Sequence, residues 1–458
     1  MEGLTNNKLD SIIKSQRDFF GTHQTKSVDF RISQLKKLKA AINKYETEIA
    51  DALKKDLNKS LEEAYLTEIS IVNQEIDFHL KNIKKWSRPE FVDTPMHILP
   101  STSKIVYEPL GLALIISPWN YPFQLLFNPL IGAISAGCCS VLKPSPYTPH
   151  ISELMDKIIK EIFDEKYVAI VQGGREENEL LLKHRFDIIC FTGSPALGKV
   201  VMRAASEHLT PVLLELGGKS PCIVDVKANL DIAAKRIAWS KTINAGQTCI
   251  APDYLLVHEN IKDKLIEKIA KEFKSTFGEN AAESKYYPRI VNEKAFERLE
   301  KLMQHGTIYC GGKTDKTNRY IEPTIIDNVE IDFPIMQEEI FGPLLPVLTF
   351  KNTSEAIQFV NDNEKPLALY YYGNTSKAEE VLHKTSSGGA CINDGLMHIA
   401  NHNLPFGGVG NSGTGRYHGH HSFLAFSNHR GVVSTPTWID VPFKYVPFKF
   451  FSLIKKFI

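Results

Sequence analysis

The sequence has no long uninterrupted apolar run. Its longest apolar stretches, residues 110–117 and 129–142, are broken by Gly, Ser or Cys, and neither reaches the roughly 20 residues that a membrane-spanning helix needs. Residues 1–20 are polar and mixed in charge, without the apolar centre of a secretory signal. These absences predict a cytoplasmic protein in which the sequons at Asn352 and Asn374 are chance surface features.

An excess of one charge is also missing, since 54 Lys and Arg residues oppose 53 Asp and Glu residues. Proteins that neutralise many phosphates usually carry a large basic surplus, so the balance disfavours a nucleic-acid partner. Cysteine is scarce as well: there are 7 residues at irregular spacing. An odd, irregular set is not a disulfide framework and indicates a reducing compartment. It leaves open whether any one thiol has special chemistry.

The chain also lacks the pattern of a metal centre. Several histidines cluster towards its C-terminal end: His398, His402, His418, His420 and His421. Metal ligands usually come with cysteines or carboxylates at fixed spacing, and these histidines do not. We therefore expect no metal.

What is present is enough chain for about three domains, at roughly 150 residues each. Apolar residues at helical spacing predict amphipathic helices over residues 28–57 and about 60–86. From residue 105 onward, short apolar runs alternate with helical stretches. Apolar strands separated by helices are typical of a parallel sheet covered on both faces, so the pattern predicts an α/β fold.

A second strand–helix series begins at residue 254, which divides the chain into two α/β units. The first series has six predicted strands: Leu112–Ser117, Ser140–Lys143, Tyr167–Gln172, Ile188–Thr192, Val212–Glu215 and Cys222–Val226. The segment after about residue 425 is strand-like and then aromatic and basic.

One glycine pattern is misleading. Residues 408–413 match G-x-G-x-x-G, but a dinucleotide fingerprint needs a strand before it and a helix after it, and this segment is a glycine-rich loop. A better phosphate site follows the strand that ends near Phe191, where Gly193 and Ser194 form a turn before a helix that contains Gly198. A helix N-terminus offers free N–H groups to a pyrophosphate. On this feature alone, a simple strand–turn–helix is the alternative.

Three other residues have surroundings that suit catalysis. Glu215 ends an apolar strand before a Gly-Gly turn, where an apolar setting can raise a carboxyl pKa towards that of a general base. Cys249 lies in a glycine-containing loop, unlike Cys190 and Cys222 inside apolar strands, and an exposed thiolate is a nucleophile. Asn120 offers the amide donor that an oxyanion hole requires. Taken singly, Glu215 and Asn120 could equally be turn residues, and Cys249 could be an inert packing residue.

Together these clusters resemble the motifs of the aldehyde dehydrogenase superfamily, in the family's order over about residues 105–430. The matching segments are residues 118–122 (Pro-Trp-Asn-Tyr-Pro), 143–145 (Lys-Pro-Ser), 191–194 (Phe-Thr-Gly-Ser), 215–221 (Glu-Leu-Gly-Gly-Lys-Ser-Pro), 246–249 (Gly-Gln-Thr-Cys), 338–343 (Glu-Glu-Ile-Phe-Gly-Pro) and 405–408 (Pro-Phe-Gly-Gly). Residues 246–254, 408–413 and 417–419 are most similar to the class 3 branch, which acts on fatty and aromatic aldehydes.

The resemblance implies a mechanism. Cys249 would attack the aldehyde, and the side chain of Asn120 with the Cys249 backbone N–H would hold the oxyanion of the thiohemiacetal. After hydride transfer to the nicotinamide, Glu215 would activate the water that hydrolyses the thioester. The implied cofactor residues are Trp119, Lys143 (adenine ribose), Gly193, Ser194 and Gly198 (pyrophosphate), Glu339 (nicotinamide ribose) and Phe341.

Two alternatives to hydrolysis remain: a coenzyme A-acylating enzyme, whose members typically lack a Glu at the position of Glu215, and a catalytically silent NAD-binding scaffold, which would be expected to lack Cys249 or Glu215. The cofactor is expected to be NAD. Many relatives have a Glu where this chain has Pro146, so no carboxylate there repels a 2′-phosphate, and we expect NADP to be accepted too. Tyr121 and the neighbourhood of Phe406 suggest an apolar substrate.

The resemblance also implies the domain organisation. N-terminal helices and a Rossmann-like NAD(P)-binding domain would occupy residues 1–214, with a short arm segment near 96–106. A catalytic domain would occupy 215–424, and a small β oligomerisation arm with the tail would occupy 425–458. We expect a homodimer. The aromatic and basic tail would either dock on its own or a partner subunit, which we favour, or make weak contact with a membrane surface.

Overall fold

The structure is a computed structural model that describes residues 5–440, 444–448 and 450–455. Its helices are α1 (Asn6–Gly21), α2 (Val28–Lys44), α3 (Glu46–Leu57), α4 (Leu61–Ala64), α5 (Ser70–Trp86), α6 (Pro122–Ala136), α7 (Pro149–Ile162), α8 (Arg175–Leu182), α9 (Pro195–Ser206), α10 (Leu230–Thr242), α11 (Lys262–Phe277), α12 (Glu293–Leu302), α13 (Pro334–Gln337), α14 (Thr353–Asp362), α15 (Thr375–Lys384), α16 (His420–Ala425) and α17 (Phe451–Ile454).

The strands are β1 (Glu90–Val92), β2 (Thr102–Pro109), β3 (Leu112–Ile116), β4 (Cys139–Lys143), β5 (Val168–Ile170), β6 (Ile188–Gly193), β7 (Val212–Leu216), β8 (Pro221–Val224), β9 (Tyr254–His258), β10 (Thr307–Cys310), β11 (Thr314–Asp315), β12 (Tyr320–Ile321), β13 (Thr324–Asp327), β14 (Leu344–Phe350), β15 (Ala368–Tyr372), β16 (Gly389–Ile392), β17 (Gly413–Thr414) and β18 (Ser427–Ser434). The ends of β3 to β8 lie within two residues of the six predicted strands.

The first sheet has six strands in the order β17-β7-β6-β3-β4-β5. Its neighbours from β7 to β5 are parallel, and β17 pairs antiparallel with β7, which places Gly413 opposite Glu215. Every residue of β3 and β4 is buried, as expected for central strands with helices packed against them. The turns after β3 and β7 therefore leave the sheet at the same edge.

The second sheet has seven strands in the order β10-β13-β14-β9-β8-β15-β16. All of its pairings are parallel except that of β10 with β13. The predicted α/β class with two parallel-sheet units is thus confirmed. The boundaries at residues 214 and 424 stay predictions; Glu215 itself lies in β7 of the first sheet.

A third, three-stranded sheet joins distant parts of the chain in the order β1-β2-β18. β18 pairs antiparallel with β2 along its whole length, from Ser427 opposite Pro109 to Ser434 opposite Thr102. We call this unit the arm sheet. It unites the segment near 96–106 with the strand-like segment after 425. Of the tail, residues 441–443, 449 and 456–458 lie outside the described residues.

The prediction of one helix over residues 28–57 is wrong. The helix is interrupted at Tyr45, so that α2 ends at Lys44 and α3 begins at Glu46. At the interruption, the Lys44 ammonium and the Tyr45 hydroxyl both donate to the carboxylate of Glu161 on α7. Glu46 and Glu48 in the first turn of α3 favour a new helix N-terminus there.

The helical prediction for about 60–86 is correct, with one irregularity. Between α4 and α5 the backbone makes a π-helical turn over Tyr65–Ile69, a feature that is frequent at functional sites. The apolar faces of α2 and α5 pack against α6 beside the first sheet. Within the ranges that the structure describes, no helix combines the length and apolarity needed to cross a bilayer.

Candidate active site

The candidate site lies where three segments come together: the loop after β3, which carries Asn120, the turn after β7, which follows Glu215, and the loop after α10, which carries Cys249. The loop after β3 carries Asn120, whose side-chain Nδ2 donates to the carbonyl oxygen of Gln247 at 3.0 Å. The next residue, Tyr121, shares a 2.7 Å hydrogen bond between its hydroxyl and Thr248 Oγ1. The sequence predicted Asn120, Glu215 and Cys249 as a catalytic set, and these two bonds bring the Asn120 loop against the Cys249 loop.

The Cys249 loop begins with an unusual backbone. Asn244, Ala245 and Gly246 follow α10 with φ values of 51°, 52° and 72°. Left-handed conformations cost residues other than glycine about 1–2 kcal/mol each. At Gly246 a Cβ would collide with the carbonyl oxygen of Gly342, so this position requires glycine for space as well as for conformation.

Gln247 holds this loop in place. Its fully buried side chain donates from Nε2 to the carbonyl oxygens of Asn244 and Arg289, at 3.0 Å each. Its Oε1 accepts from the backbone N–H of Val291 at 2.9 Å. Both ends of the amide are satisfied, so the bonds offset part of the backbone cost and fix the approach to Cys249.

As a residue, Cys249 is more exposed than Asn120 and Glu215, which are buried. Cys249 is partly exposed, whereas Cys138, Cys139, Cys190 and Cys222 are buried. Desolvation, with the nearby charges of Glu339 and Glu215, raises the pKa of the Cys249 thiol to about 12. The backbone N–H groups of Cys249 and Ile250 act in the opposite direction. In this state the sulfur is a thiol, and a reaction at it requires a proton acceptor.

Glu215 is buried, with 3% of its surface exposed. Within the described part of the chain, neither of its carboxyl oxygens has a hydrogen-bond partner. Desolvation raises its pKa well above the usual range, and the positive charge of Arg416 opposes this only in part. A buried carboxyl group with free lone pairs can accept a proton from a water or a thiol that enters the site.

The predicted pyrophosphate turn forms as expected locally. Ser194 precedes α9 with an extended backbone, and its Oγ accepts from the Leu197 N–H at 3.4 Å. A Cβ at Gly198 would lie 2.7 Å from Leu216 Cδ2, so glycine lets α9 approach β7 closely. At Gly193 a Cβ would lie 2.5 Å from the ring of Phe191. A crowded glycine turn leading into a 12-residue helix fits a bound pyrophosphate.

Lys143 lies at the end of β4, with 1% of its surface exposed. Its Nζ donates to the carbonyl oxygens of Pro144 at 2.9 Å and Gly173 at 2.6 Å. Burial lowers the pKa of this amine to about 8, although the carboxylate of Glu177 acts against the shift. An ammonium held by two carbonyls keeps a third donor for a ligand such as a ribose hydroxyl.

Glu339, Phe341 and Trp119 form the other predicted cofactor group. Desolvation, with the nearby charge of Asp253, raises the pKa of Glu339 to about 8, although the Gly218 N–H group acts against the shift. Phe341 has a left-handed φ of 51°, and its ring meets that of Trp119 edge-on, with centroids 5.4 Å apart. A Cβ at Gly217 would collide with the Glu339 carboxylate, which explains the Gly-Gly turn after Glu215.

Sequence reasoning missed three charged residues beneath the site: Lys59, Glu63 and Glu68. Lys59 and Glu68 are fully buried, and their ion pair has an Nζ–Oε1 distance of 2.6 Å. A signal was available, because Glu68 adjoins Ile69 on the apolar face of the predicted 60–86 helix. An acidic residue on such a face is a candidate for a buried polar contact.

The clustered histidines are separated into different contacts. His402 Nδ1 bonds to the buried carboxylate of Glu75 at 2.7 Å, and the ring of His418 stacks on that of Phe406 with centroids 5.1 Å apart. Among the residues that the structure describes, no three His, Cys, Asp or Glu side chains are arranged to hold a metal ion. Burial lowers the pKa of His418 to about 4, which keeps this ring neutral.

Comparison with known proteins identifies the family of this chain. Residues 1–432 match the model of the aldehyde dehydrogenase family. The chain is 47% identical over 455 residues to 4,4'-diaponeurosporen-aldehyde dehydrogenase of Staphylococcus aureus, covering 98% of this chain and 99% of that protein. It is 44% identical over 426 residues to the rat "Aldehyde dehydrogenase, dimeric NADP-preferring", covering 93% of this chain and 94% of the relative.

A solved structure and a further sequence relative support the same family assignment. The substrate-bound state of Staphylococcus aureus AldH superposes with a TM-score of 0.95 at 46% identity, covering 98% of this chain and 99% of that one. Mouse "Aldehyde dehydrogenase family 3 member B3" is 46% identical over 418 residues, with 91% and 87% coverage, which confirms the resemblance to class 3. By sequence and by fold, the chain belongs to the aldehyde dehydrogenase family.

Proposed function

We propose that this NAD(P)-dependent aldehyde dehydrogenase oxidises apolar aldehydes to free carboxylic acids, with Cys249 as nucleophile, Asn120 as oxyanion donor and Glu215 as general base. The observation that carries the proposal is the buried Glu215 carboxyl, whose two oxygens have no hydrogen-bond partner among the described residues, together with the partly exposed Cys249. A base within electrostatic reach of a thiol is the arrangement that covalent aldehyde oxidation and thioester hydrolysis need.

In the first step the Cys249 sulfur forms a bond to the carbonyl carbon, and the carbonyl electron pair moves to the oxygen. The Asn120 amide has two N–H groups, of which one donates to Gln247, so the second can donate to this oxyanion together with the Cys249 backbone N–H. The thiol proton passes to Glu215 or to solvent. When bound, the oxidised nicotinamide supplies the acceptor for the aldehydic hydride.

In the second step the acyl group is attached to Cys249 as a thioester. Glu215, after any proton it accepted in the first step has passed to solvent, takes a proton from a water molecule, whose oxygen attacks the acyl carbon. The carbon–sulfur bond then breaks, its electron pair stays on the Cys249 sulfur, and the acid is released. The same donors on Asn120 and Cys249 stabilise the oxyanion of this step. Glu215 disfavours the coenzyme A-acylating alternative, because those enzymes replace water with a thiol and need no such base.

The residues that would hold the dinucleotide are Lys143 at the adenine ribose, Ser194 at the pyrophosphate and Glu339 at the nicotinamide ribose. Gly193 supports the proposal because it leaves the turn before α9 without a side chain, and Gly198 because it lets the first turn of α9 pack closely on Leu216. Phe341 and Trp119, in edge-on contact, would lie beside the nicotinamide end.

We propose further that NADP is accepted alongside NAD. Pro146 is exposed and carries no charge where a carboxylate would repel a 2′-phosphate. The rat relative is named as NADP-preferring, and a betaine aldehyde dehydrogenase from Staphylococcus aureus, 27% identical with a TM-score of 0.86, was solved with NAD+. Steady-state rates with each cofactor test the point. Turnover with NAD but none with NADP would refute it, and Pro146→Glu should lower the kcat/KM for NADP selectively.

An apolar substrate is supported by the aromatic surroundings of the site. Tyr121 and Phe406 are buried, with 8% and 5% of their surfaces exposed. A panel of short, long and aromatic aldehydes, followed by NADH or NADPH absorbance, tests the substrate class. Cys249→Ala is the decisive variant: it should abolish turnover with every aldehyde, and retained activity would overturn the mechanism. The aldehyde panel with the unchanged protein also tests the silent-scaffold alternative, which predicts no turnover with any aldehyde.

A homodimer is the proposed assembly. The arm sheet leaves Phe91 and Val433 exposed, at 72% and 58%, and the rat relative is named as dimeric. Sedimentation should give the mass of two chains, and Val433→Lys should shift it towards one. A single-chain mass for the unchanged protein would refute the dimer.

Tail docking on the protein itself is preferred over weak membrane contact, although Trp438 and Val446 are largely exposed. Flotation with liposomes, using the full chain and a chain that ends at residue 442, separates the two. Equal recovery in the soluble fraction excludes membrane contact.

A cytoplasmic location is proposed because all 7 cysteines are free thiols.

A further inference from the structure

The segment from Lys59 to Glu68 contacts both the Asn120 loop and the Cys249 loop. We call Lys59, Glu63 and Glu68 the brace. The Lys59 Nζ donates to the backbone carbonyl oxygen of Asn120 at 3.0 Å, and the Glu63 Oε1 accepts from the backbone N–H of Asn244 at 2.8 Å. One short segment thus holds the residue that carries the oxyanion donor and the first residue of the nucleophile loop.

The contact to Asn120 is fixed by an ion pair. Lys59 is bonded to Glu68 Oε1 at 2.6 Å, and its ammonium lies 4.1 Å from the centre of the Tyr121 ring. The second oxygen of Glu68 accepts from the backbone N–H groups of Phe123 and Gln124, at 2.9 and 3.2 Å. These N–H groups belong to the first turn of α6, so Glu68 also anchors the helix that follows the Asn120 loop.

The contact to Asn244 reaches the strained turn. The Asn244 side chain in turn donates from Nδ2 to the carbonyl oxygens of Asn120 at 2.8 Å and Gln247 at 3.1 Å. Asn244 therefore links the two loops, and Glu63 holds Asn244 from the opposite side. The π-helical turn Tyr65–Ile69 follows Glu63 and contains Glu68, so the two carboxylates are not separated by regular α-helix.

We propose that Lys59 and Glu63 are positioning residues that fix the Asn120 amide and the Cys249 loop relative to each other. The proposal rests on the proposed function, in which these two groups act on the same oxyanion. Misplacement of reacting groups by about 1 Å can cost roughly 100-fold in rate. None of the three brace residues is assigned a proton transfer or a substrate contact.

Glu63 acts through an acceptor oxygen and not through its charge. Desolvation raises its pKa to about 7, so neutral and ionised forms are both present near neutral pH, and each retains a lone pair for the Asn244 N–H. A glutamine offers the same oxygen in the same place. An alanine offers none and leaves the strained turn without its contact.

The test compares Glu63→Ala with Glu63→Gln, and uses Glu62→Ala as control, because Glu62 is the exposed neighbour. We expect Glu63→Ala to lower kcat and the burst rate of NAD(P)H formation by about 10- to 100-fold, with an unchanged KM for the cofactor and unchanged Tm. Glu63→Gln should retain most of the rate, and Glu62→Ala all of it. Lys59→Met, compared with the exposed Lys55→Met, should repeat the loss.

Several outcomes would overturn the proposal. They are a normal kcat for Glu63→Ala, an equal loss in Glu63→Gln, or a loss that follows a fall in Tm or a rise in cofactor KM. Since Lys59→Met strands the buried Glu68 and can prevent folding, the Glu63 series decides in that case. If Cys249→Ala is inactive while Glu63→Ala is normal, only the brace is refuted. If Cys249→Ala is active, the proposed function itself fails.

Discussion

The amide of Asn120 donates to the carbonyl oxygen of Gln247, two residues before Cys249, across 3.0 Å. The donor and the nucleophile loop are therefore held together before any substrate enters. In the proposed mechanism, this preorganisation presents the oxyanion with an N–H group that is already aimed, so that little reorganisation is needed during the reaction.

Asn120→Ala should remove one oxyanion donor and loosen the Cys249 loop. We expect kcat to fall by about 100- to 1,000-fold, which corresponds to roughly 2.7–4 kcal/mol. Cofactor affinity, measured by fluorescence titration with NADH, should not change. Asn128→Ala, on the buried middle of α6, is a control for general damage to this part of the core. An Asn120→Ala enzyme with full kcat would remove Asn120 from the mechanism.

Glu215→Gln should separate the two half-reactions. Thioester formation releases reduced cofactor before water is needed, so we expect one burst of NAD(P)H per active site followed by slow turnover. Intact-protein mass spectrometry should then show the acyl adduct, located by peptide mapping at Cys249. Steady turnover at the normal rate, without an adduct, would show that another group activates the water.

The raised pKa of Glu339 makes the stability of the folded chain depend on pH. Its folded value of about 8 exceeds the unfolded value of about 4.3, so the folded state binds the proton more tightly. The stability contributed by neutral Glu339 is complete below the unfolded pKa and is lost as pH rises towards 8. Glu339→Gln should therefore raise Tm at pH 8.5 relative to the unchanged chain more than at pH 4.5, as measured by differential scanning fluorimetry. The same difference at both pH values would contradict the assignment.

Gly246→Ala tests the crowding of the nucleophile loop. The added methyl group would collide with the carbonyl of Gly342, in addition to the roughly 1–2 kcal/mol that a left-handed alanine costs. Gly278 is a matched control, because its φ is 82° and nothing lies within 4 Å of the position that a methyl group would take there. Urea unfolding should show a loss for Gly246→Ala that clearly exceeds the loss for Gly278→Ala. Equal losses would mean that backbone conformation alone accounts for the effect.

The predictable parts of the site share one property: their signals are local. Asn120 follows an apolar strand, Glu215 lies at the end of one before two glycines, and Cys249 follows a helix in a glycine-containing loop. Their placement can therefore be read from neighbouring residues. The two parallel sheets were predictable for the same reason, since burial on both faces makes each strand apolar throughout.

The parts that could not be predicted depend on distant partners. Near Tyr45, only Glu46 and Glu48 hint at the break between α2 and α3. The carboxylate that Tyr45 contacts there, on Glu161, is 116 residues away in the sequence. Lys59 belongs to a lysine-rich region that is mostly solvated. Its burial follows from Glu68 and from the carbonyl of Asn120, neither of which changes the local pattern.

The pairing of β17 with β7 has a consequence for synthesis on the ribosome. The strand that carries Glu215 receives its edge partner from Gly413, about 200 residues later in the chain. A nascent chain can form the parallel strands early, but the proposed base remains at an open edge until the segment around Gly413 has been synthesised. Since contacts of such long sequence separation form slowly, we expect enzymatic competence to appear late in folding, after most of the secondary structure is in place.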